Sequence, residues 1–341
     1  MIQSAGRATR GRTVRVSLSF TGFGSILADL PAVRAADENG FDGLWYAEHI
    51  CAHDAVVPAT VYLRETERLE VVLMGISAAG RHPGVAAMEL ASLAEIAPGR
   101  VRAAIGTGVP DMIATLGKSI DKPIASTIAL HRALKSALAG GELTAEFPGF
   151  RFERYTLNPV SAPPALDIMA VRPRMVETAA RYADGVCLSA GSSRKYLAET
   201  VERVEATLTD AGRPREGFRI SAVVTAFITD DVQTARIQVA ELLSAFDPGT
   251  TEYLAAGAIP DGALVEAFAR GGPVEAARVL TPEVVDAVAM VCPPEAVGDS
   301  LAAYAETGID EIAIVPFAPP DQLPELITHI GECRPLLAAR P

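Results

Sequence analysis

The chain has 341 residues, of which 49% are hydrophobic, so it carries enough apolar material for one large core. Its formal net charge of −12 argues against a general affinity for nucleic acid or anionic lipid. No apolar run reaches the roughly 18–20 residues that a membrane-spanning helix needs. The four cysteines (Cys51, Cys187, Cys292 and Cys333) are scattered and lack metal-ligand spacing, which predicts a reduced, cytoplasmic protein.

The first residues of the chain differ from the rest in composition. Residues 1–12 contain Arg7, Arg10 and Arg12 but no apolar segment of the kind that a secretory signal carries. We expect residues 1–12 to be a disordered leader and residues 13–337 to form a single domain.

Eight short apolar runs alternate along the chain with segments of helical spacing. The runs are 14–20, 41–46, 71–76, 101–106, 165–171, 185–190, 218–228 and 311–317. Most of them are continuously apolar, which is typical of parallel strands covered on both faces. The helical segments with the clearest patterns are 84–97, 173–183, 194–211, 231–246, 294–307 and 321–331.

This alternation predicts an α/β fold, a (β/α)8 TIM barrel with insertions in βα loops. The alternative is a doubly wound open sheet, which normally carries a GxGxxG turn after its first strand. Here "TGFGSI" follows the first run and lacks the third glycine. Two segments exceed a minimal barrel: we expect a hairpin within 146–164 and several short helices within 247–293.

Polar residues follow the second predicted strand directly, in "GFDGLWYAEHICAHD". In a TIM barrel the carboxyl ends of the strands form the active site, so Glu48 and His49 are placed at its entrance. A histidine there can exchange a proton near neutral pH, and a neighbouring carboxylate can orient it. The alternative is that His49 only caps the end of the strand.

Glycines mark the ends of the next two strands. The third ends in "MGISAAGRHPG" and the fourth in "AIGTGVPD", so Gly75, Gly106 and Gly108 leave bare backbone at the same edge of the barrel. A flat ring can lie close to such backbone. Together with Glu48 and His49, these glycines favour a site for a planar cofactor.

Basic residues follow the fifth and sixth strands. Arg172 and Arg174 flank the start of a helix, whose free N–H groups favour an anion such as phosphate. Arg194 and Lys195 come after the sixth strand. The alternative is that they are ordinary solvated side chains at helix starts.

Four motifs in order resemble the luciferase-like flavin- and deazaflavin-dependent oxidoreductases. They are "GFDGLWYAEHI", "RHPGVAAMELASLAEIAPGRVRAAIGTG", "RPRMVETAARYADGV" and "GIDEIAIVPF", and the resemblance extends from about residue 13 to 330. The "AEH" and "GTG" motifs are most similar to the coenzyme F420-dependent branch. That branch includes methylenetetrahydromethanopterin reductases and F420-dependent alcohol and sugar-phosphate dehydrogenases.

The resemblance implies a deazaflavin ring at the carboxyl end of the barrel, with Glu48 and His49 against the ring or the substrate. It also implies a non-prolyl cis peptide that supports the ring, mapped here to Gly75-Ile76. The residues it assigns to the cofactor are Gly75, Ile76, Gly106, Thr107, Gly108, Ala170, Val171, Arg172, Arg174, Ser189 and Ala190. Relatives usually carry Gly-Pro where this chain has Arg172-Pro173. The arginine would either strengthen phosphate binding or fill the phosphate site.

The leading hypothesis is an oxidoreductase that transfers a hydride between coenzyme F420 and a small organic substrate, with His49 as acid/base and Glu48 as its partner. The first alternative is a reduced-FMN monooxygenase served by a separate cofactor reductase. The resemblance also implies a homodimer. The aromatic residues expected to line an apolar substrate cavity are Phe20, Phe23, Tyr46 and Phe317.

Two alternatives come from other functional classes. A metal-dependent barrel hydrolase would use His49, His53, Asp54 and His82 as ligands. A non-catalytic flavin-binding or interaction role would account for the Arg172 departure and for the long 247–293 segment.

Overall fold

The computed structural model describes residues 13–244 and 246–334. The predicted leader, residues 1–12, lies outside the described residues, as do the last residues of the predicted domain, 335–337.

Eight parallel strands close into a barrel, which confirms the predicted fold. In chain order the strands of the protein are β1 (Arg15–Phe20), β2 (Gly43–Ala47), β3 (Glu70–Ser77), β4 (Val101–Gly106), β5 (Gly141–Phe147), β6 (Phe150–Leu157), β7 (Ala165–Ala170), β8 (Gly185–Leu188), β9 (Arg219–Ile228), β10 (Met290–Cys292) and β11 (Glu311–Pro316). The barrel contains β1 to β4, β7 to β9 and β11. Pairing of β11 with both β9 and β1 closes the ring, so the barrel has no open edge.

Helices surround the barrel. They are α1 (Leu30–Glu38), α2 (Val56–Glu65), α3 (Pro83–Ile96), α4 (Pro110–Thr115), α5 (Pro123–Leu138), α6 (Pro173–Tyr182), α7 (Arg194–Asp210), α8 (Val232–Ser244), α9 (Pro248–Leu254), α10 (Ala263–Val279), α11 (Pro282–Val288), α12 (Val297–Ala305) and α13 (Leu323–Cys333). The six helical segments predicted from spacing are α3, α6, α7, α8, α12 and α13. Within the described part of the chain, no helix is long and apolar enough to cross a membrane.

Both insertions were predicted, with differences in their bounds. The hairpin β5–β6 covers Gly141–Leu157 and so begins and ends before the predicted 146–164. Gly140 and Gly141 turn the chain into it with φ of 77° and 80°, a conformation that favours glycine. The 247–293 segment holds α9, α10 and α11, as expected. It also holds β10, a three-residue strand paired with β9 that was too short to recognise.

Ionic side chains fill the amino end of the barrel interior. Arg102 donates two hydrogen bonds to Asp167, at 2.6 and 2.5 Å, and both side chains are buried. Glu311 accepts hydrogen bonds from Ser17 and Ser221, at 2.5 and 2.9 Å. Trp45, the single tryptophan, donates from Nε1 to the same carboxylate at 3.1 Å. These contacts form a polar plug that leaves the carboxyl end of the barrel for chemistry.

His131 on α5 gives the fold a pH dependence. Burial lowers its pKa to about 4, opposed by the charge of Asp184 and reinforced by nearby cations. Because the folded state keeps the imidazole neutral, the unfolded state takes up the proton first as pH falls below about 6.5. We therefore expect the free energy of unfolding to decline between pH 6.5 and 4, with a His131 contribution on the order of 3 kcal/mol.

The measurement is urea unfolding of the wild type and His131→Gln at several pH values between 7.5 and 4.5. The variant removes this titration while other groups titrate as before. As pH falls, the free energy of unfolding should therefore decrease less for the variant than for the wild type. Parallel curves would contradict the assignment.

Candidate active site

Small and sulfur-containing side chains line the carboxyl end of the barrel interior, here called the mouth. Side chains alternate along each strand, so Trp45 and Ala47 on β2 and Met74 on β3 face inward. Met169 on β7 joins the same cluster and is only partly buried. Cys187 lies with Sγ 4.0 Å from Met74 Sδ. The mouth therefore has an apolar, polarisable floor above the polar plug.

Gly75 forms a bulge at the end of β3, where pairing with β4 shifts between Met74 and Ile76. The structure has a non-prolyl cis peptide at this place, between Met74 and Gly75. The predicted Gly75-Ile76 bond was therefore wrong by one residue. A side chain at Gly75 would collide with Met169 Sδ, so Gly75 lies directly against this inward-facing side chain. The Ile76 side chain is buried on the outer side of the barrel instead.

The end of β4 lies beside this bulge. A Cβ at Gly106 would come within 3.2 Å of Met169 Sδ. Gly108 has a φ of 76°, and a Cβ there would lie 3.0 Å from the Ile113 side chain, so only glycine fits easily. Ser77 Oγ donates to the carbonyl oxygen of Thr107 at 3.0 Å and joins the two strand ends. Gly75, Gly106, Thr107 and Gly108 are thus brought together.

Met169 was not predicted as a site residue. It sits two positions after Asp167, so the period of two along β7 places both side chains inside the barrel. The sequence alone therefore predicts that the Met169 side chain points into the barrel. Its closeness to Gly75 and Gly106 could not be predicted, because it depends on the register between β4 and β7.

His49 stands at the rim of the mouth, after the end of β2. Its ring stacks on Phe23 with centroids 4.4 Å apart and an interplanar angle of 27°. Burial lowers the pKa of His49, opposed by a hydrogen bond with the Thr21 backbone and by the charge of Glu48. The imidazole is therefore neutral at pH 7 and can accept a proton.

The Glu48 carboxylate does not hydrogen-bond to His49. Its Oε2 forms an ion pair with Arg81 and accepts the backbone N–H of Ala55 at 3.1 Å. Arg81 pairs in turn with Glu89 at 2.9 Å. Glu48 therefore ties the loop before α2 to the start of α3, and it acts on His49 through its charge.

The residues predicted for the phosphate end lie where β7 leads into α6. Ala170 is buried on the outer face of the barrel, and the Val171 carbonyl accepts the Tyr196 hydroxyl at 2.6 Å. Arg172 precedes the first turn of α6, and the side chain of Arg174 is exposed. Beyond β8, the Ser189 carbonyl accepts the Ser192 hydroxyl at 2.7 Å.

The remaining site predictions fall into two groups. Ala190, like Met169, packs against the interior cluster and so borders the mouth. Arg194 and Lys195 are engaged by the 247–293 segment, because Arg194 donates to the Asp286 carbonyl at 3.2 Å and Lys195 to the Ala256 carbonyl at 3.0 Å.

Two of the four aromatic residues expected in the substrate cavity lie elsewhere. Phe20 and Tyr46 point outward and pack against Tyr62, with ring centroids 6.1 and 5.8 Å away. They alternate with the inward-facing Ser19 and Trp45, which explains the error. Phe23 is 61% exposed at the rim, and Phe317 stacks on Phe227 with centroids 4.8 Å apart.

The candidate metal ligands have separate contacts. Asp54 accepts the backbone N–H groups at the start of α2, and His53 lies 3.4 Å from the Tyr46 hydroxyl. His82 caps α3 by accepting the Gly84 N–H at 3.0 Å. Among residues 13–244 and 246–334, no three His, Cys, Asp or Glu side chains gather as a metal site.

The mouth fits a planar cofactor with an anionic tail. Gly75 and Gly106 carry no side chains and lie against the partly buried Met169 in the apolar floor, which leaves a flat surface for a ring. The start of α6 offers the N–H of Arg174 and the positive end of the helix dipole to a phosphate group, since Pro173 has no N–H and the N–H groups of Met175 and Val176 donate to the Arg172 carbonyl.

Several known proteins are similar to this chain in sequence. A 5,10-methylenetetrahydromethanopterin reductase of Archaeoglobus fulgidus is 24% identical over 82% of this chain and 86% of the relative. The corresponding protein of Methanolobus tindarius is 25% identical over 62% of this chain and 65% of its own length.

Solved structures of similar fold include both reductases and monooxygenases. The coenzyme F420-dependent tetrahydromethanopterin reductase from Methanopyrus kandleri has a TM-score of 0.79 at 17% identity, over 94% of this chain and 97% of that one. EDTA monooxygenase from Chelativorans sp. BNC1 has a TM-score of 0.72 at 14% identity, over 95% and 94%. The family model of the luciferase-like monooxygenases matches residues 28–311. The chain therefore belongs to the luciferase-like monooxygenase family, whose members include oxidoreductases of both kinds.

Proposed function

We propose that the protein transfers a hydride between coenzyme F420 and a small organic substrate. The observation that carries the proposal is the mouth itself, where Gly75 and Gly106 lie against the partly buried Met169 and the neutral, partly buried His49 stands at the rim. The similarity to F420-dependent reductases over most of both chains supports this choice of cofactor.

The chain's own residues would bind, orient and exchange a proton. Gly75, Gly106 and Met169 would contact the ring, and the start of α6 with Arg172 would hold the phosphate. The deazaflavin supplies the redox chemistry, because it stores two electrons and donates them as a hydride. His49 would exchange the accompanying proton with the substrate through its imidazole ring. Glu48 would fix the loop that carries His49 through its contacts with Arg81 and Ala55.

The second candidate is a monooxygenase that uses reduced FMN delivered by a separate reductase. The matching family model and the fold of EDTA monooxygenase favour it. Oxygen consumption separates the two functions, because reduced flavin reacts with O2 whereas a reduced deazaflavin scarcely does.

The first experiment is a binding titration with coenzyme F420 and with FMN, each oxidised and reduced. Trp45 lies in the same interior cluster as Met74, and it is the single tryptophan, so quenching of its fluorescence reports a ring in the mouth. We expect selective binding of F420. Selective binding of reduced FMN, with oxygen uptake, would establish the monooxygenase instead. Binding of neither would overturn both candidates.

We also propose that the protein is a homodimer. Val85, Met88 and Ile96 are exposed on α3, where they form an apolar face that a second copy would cover. The proposed setting is the cytoplasm, because the four cysteines remain unpaired and suit a reducing compartment.

A further inference from the structure

Arg172 contacts the insertion between β9 and β11. Its Nη2 donates to the carbonyl oxygen of Gly249 at 3.1 Å, and its guanidinium carbon lies 4.1 Å from the centroid of the Tyr253 ring. Both partners belong to α9, far along the chain from Arg172. The residue that departs from the usual Gly-Pro pattern therefore joins the start of α6 to a helix of the insertion.

Stacking on Tyr253 leaves the edge of the guanidinium group available. The described residues accept one hydrogen bond from Arg172, whereas a guanidinium group offers five N–H donors. Tyr253 itself is held by Tyr196, whose ring is 5.8 Å away in an edge-to-face arrangement and whose hydroxyl donates to the Val171 carbonyl. The stack thus fixes the direction of the guanidinium of Arg172, the residue directly before α6.

The contacts of α9 extend to the rest of the insertion. Ser193 donates its backbone N–H to the Leu254 carbonyl at 3.0 Å, which fastens the end of α9 to the start of α7. Glu252 accepts the N–H groups of Gly262 and Leu264, at 2.5 and 3.2 Å, and so caps α10. If α9 becomes more or less ordered, these hydrogen bonds will therefore also affect the start of α10.

We propose that Tyr253 is a positioning residue: it pre-orients Arg172 for the anionic tail of the cofactor, and the bound tail in turn orders α9. A phosphate oxygen is a stronger acceptor for the free guanidinium edge than water, because the hydrogen bond is charge-assisted. A pre-oriented donor loses less conformational entropy on binding. The insertion is then most ordered when a phosphate-bearing ligand is present. This inference rests on the proposed function and adds Tyr253 and α9 to its site.

The test compares wild type, Tyr253→Leu and Tyr253→Phe, with Tyr253→Phe as the matched control that keeps the ring. The ligands are coenzyme F420, its deazariboflavin core without the phosphate tail, FMN, riboflavin and inorganic phosphate. Trp45 fluorescence gives the affinities, and hydrogen exchange gives the protection of Pro248–Leu254. We expect Tyr253→Leu to weaken binding of the phosphate-bearing cofactor about 3- to 30-fold, the loss of one cation–π contact. Binding of the tail-less core should change by less than about twofold.

Exchange in α9 should slow when the phosphate-bearing cofactor or inorganic phosphate binds to the wild type or Tyr253→Phe, and much less in Tyr253→Leu. Equal loss of affinity for the complete cofactor and its core would show a merely structural role and overturn the inference. Cofactor binding with unchanged exchange in α9 would also overturn it and leave the proposed function standing. If inorganic phosphate slowed exchange in α9 but no cofactor bound to the protein, the coupling between Arg172 and α9 would be supported and the proposed function would be rejected. No binding of any ligand would reject both.

Discussion

Replacing His49 by alanine is expected to lower turnover about 10²- to 10⁴-fold and to change cofactor affinity by less than about threefold. The imidazole is neutral at pH 7 because burial lowers its pKa, and it stands at the rim of the mouth against Phe23. It does not need to hold the ring, so the loss should appear in the rate. The measurements are the steady-state rate of cofactor oxidation or reduction with a turned-over substrate, and the affinity from Trp45 quenching.

The pH profile sharpens this prediction. Because the pKa of His49 is lowered, the neutral base should persist below pH 6.5, and kcat/KM should fall only at more acidic pH. His49→Gln should lack that acidic limb. The matched control is His53→Ala, since His53 belongs to the same loop but contacts the outward-facing Tyr46. A large loss of cofactor affinity with normal turnover would show that His49 is not the acid/base.

Asp167→Asn is expected to destabilise the fold by about 3–5 kcal/mol, the usual cost of breaking a buried ion pair. Burial alone would lower the pKa of Arg102, but the charge of Asp167 and its hydrogen bonds outweigh burial, so the pKa is raised. Without the carboxylate, a buried guanidinium loses its main counter-ion in the barrel interior. Denaturant unfolding of the wild type and the variant measures the effect.

Two further proteins separate the pair from its surroundings. Glu177→Gln breaks the exposed pair with Arg203, and its effect should stay within about 0.5 kcal/mol. The double variant Arg102→Met/Asp167→Leu removes both charges and should be more stable than Asp167→Asn. A loss below about 1 kcal/mol for Asp167→Asn would mean that Glu70, Glu311 or water already compensates the charge of Arg102.

The barrel was predictable because its strands are buried on both faces and therefore appear as continuous apolar runs. The positions of Glu48 and His49 followed from the rule that strand ends form the active site. It was harder to predict which side chains point into the barrel. Phe20 and Tyr46 were expected to line the cavity, although they point away from it. Because side chains alternate along a strand, the inward direction of Trp45 would have placed Tyr46 on the outer face.

Other features depend on contacts between distant parts of the chain. The partners of Arg172 lie in α9, and the partner of Glu48 precedes α3, so local patterns gave no sign of either contact. The cis peptide was expected one bond too late, because its place follows from the bulge between β3 and β4. Register and tertiary contacts are set by the whole fold and are not encoded in any single segment.

The polar plug has a kinetic consequence. Because Arg102, Asp167 and Glu311 close the amino end of the barrel, small molecules enter and leave the interior by one route. When two ligands lie one above the other in a cavity with a single opening, the deeper ligand must bind first and leave last. Under the proposed function, the cofactor on the floor of the mouth binds first, and the product leaves before it. Under the proposed function, we therefore expect steady-state kinetics of the compulsory-order type.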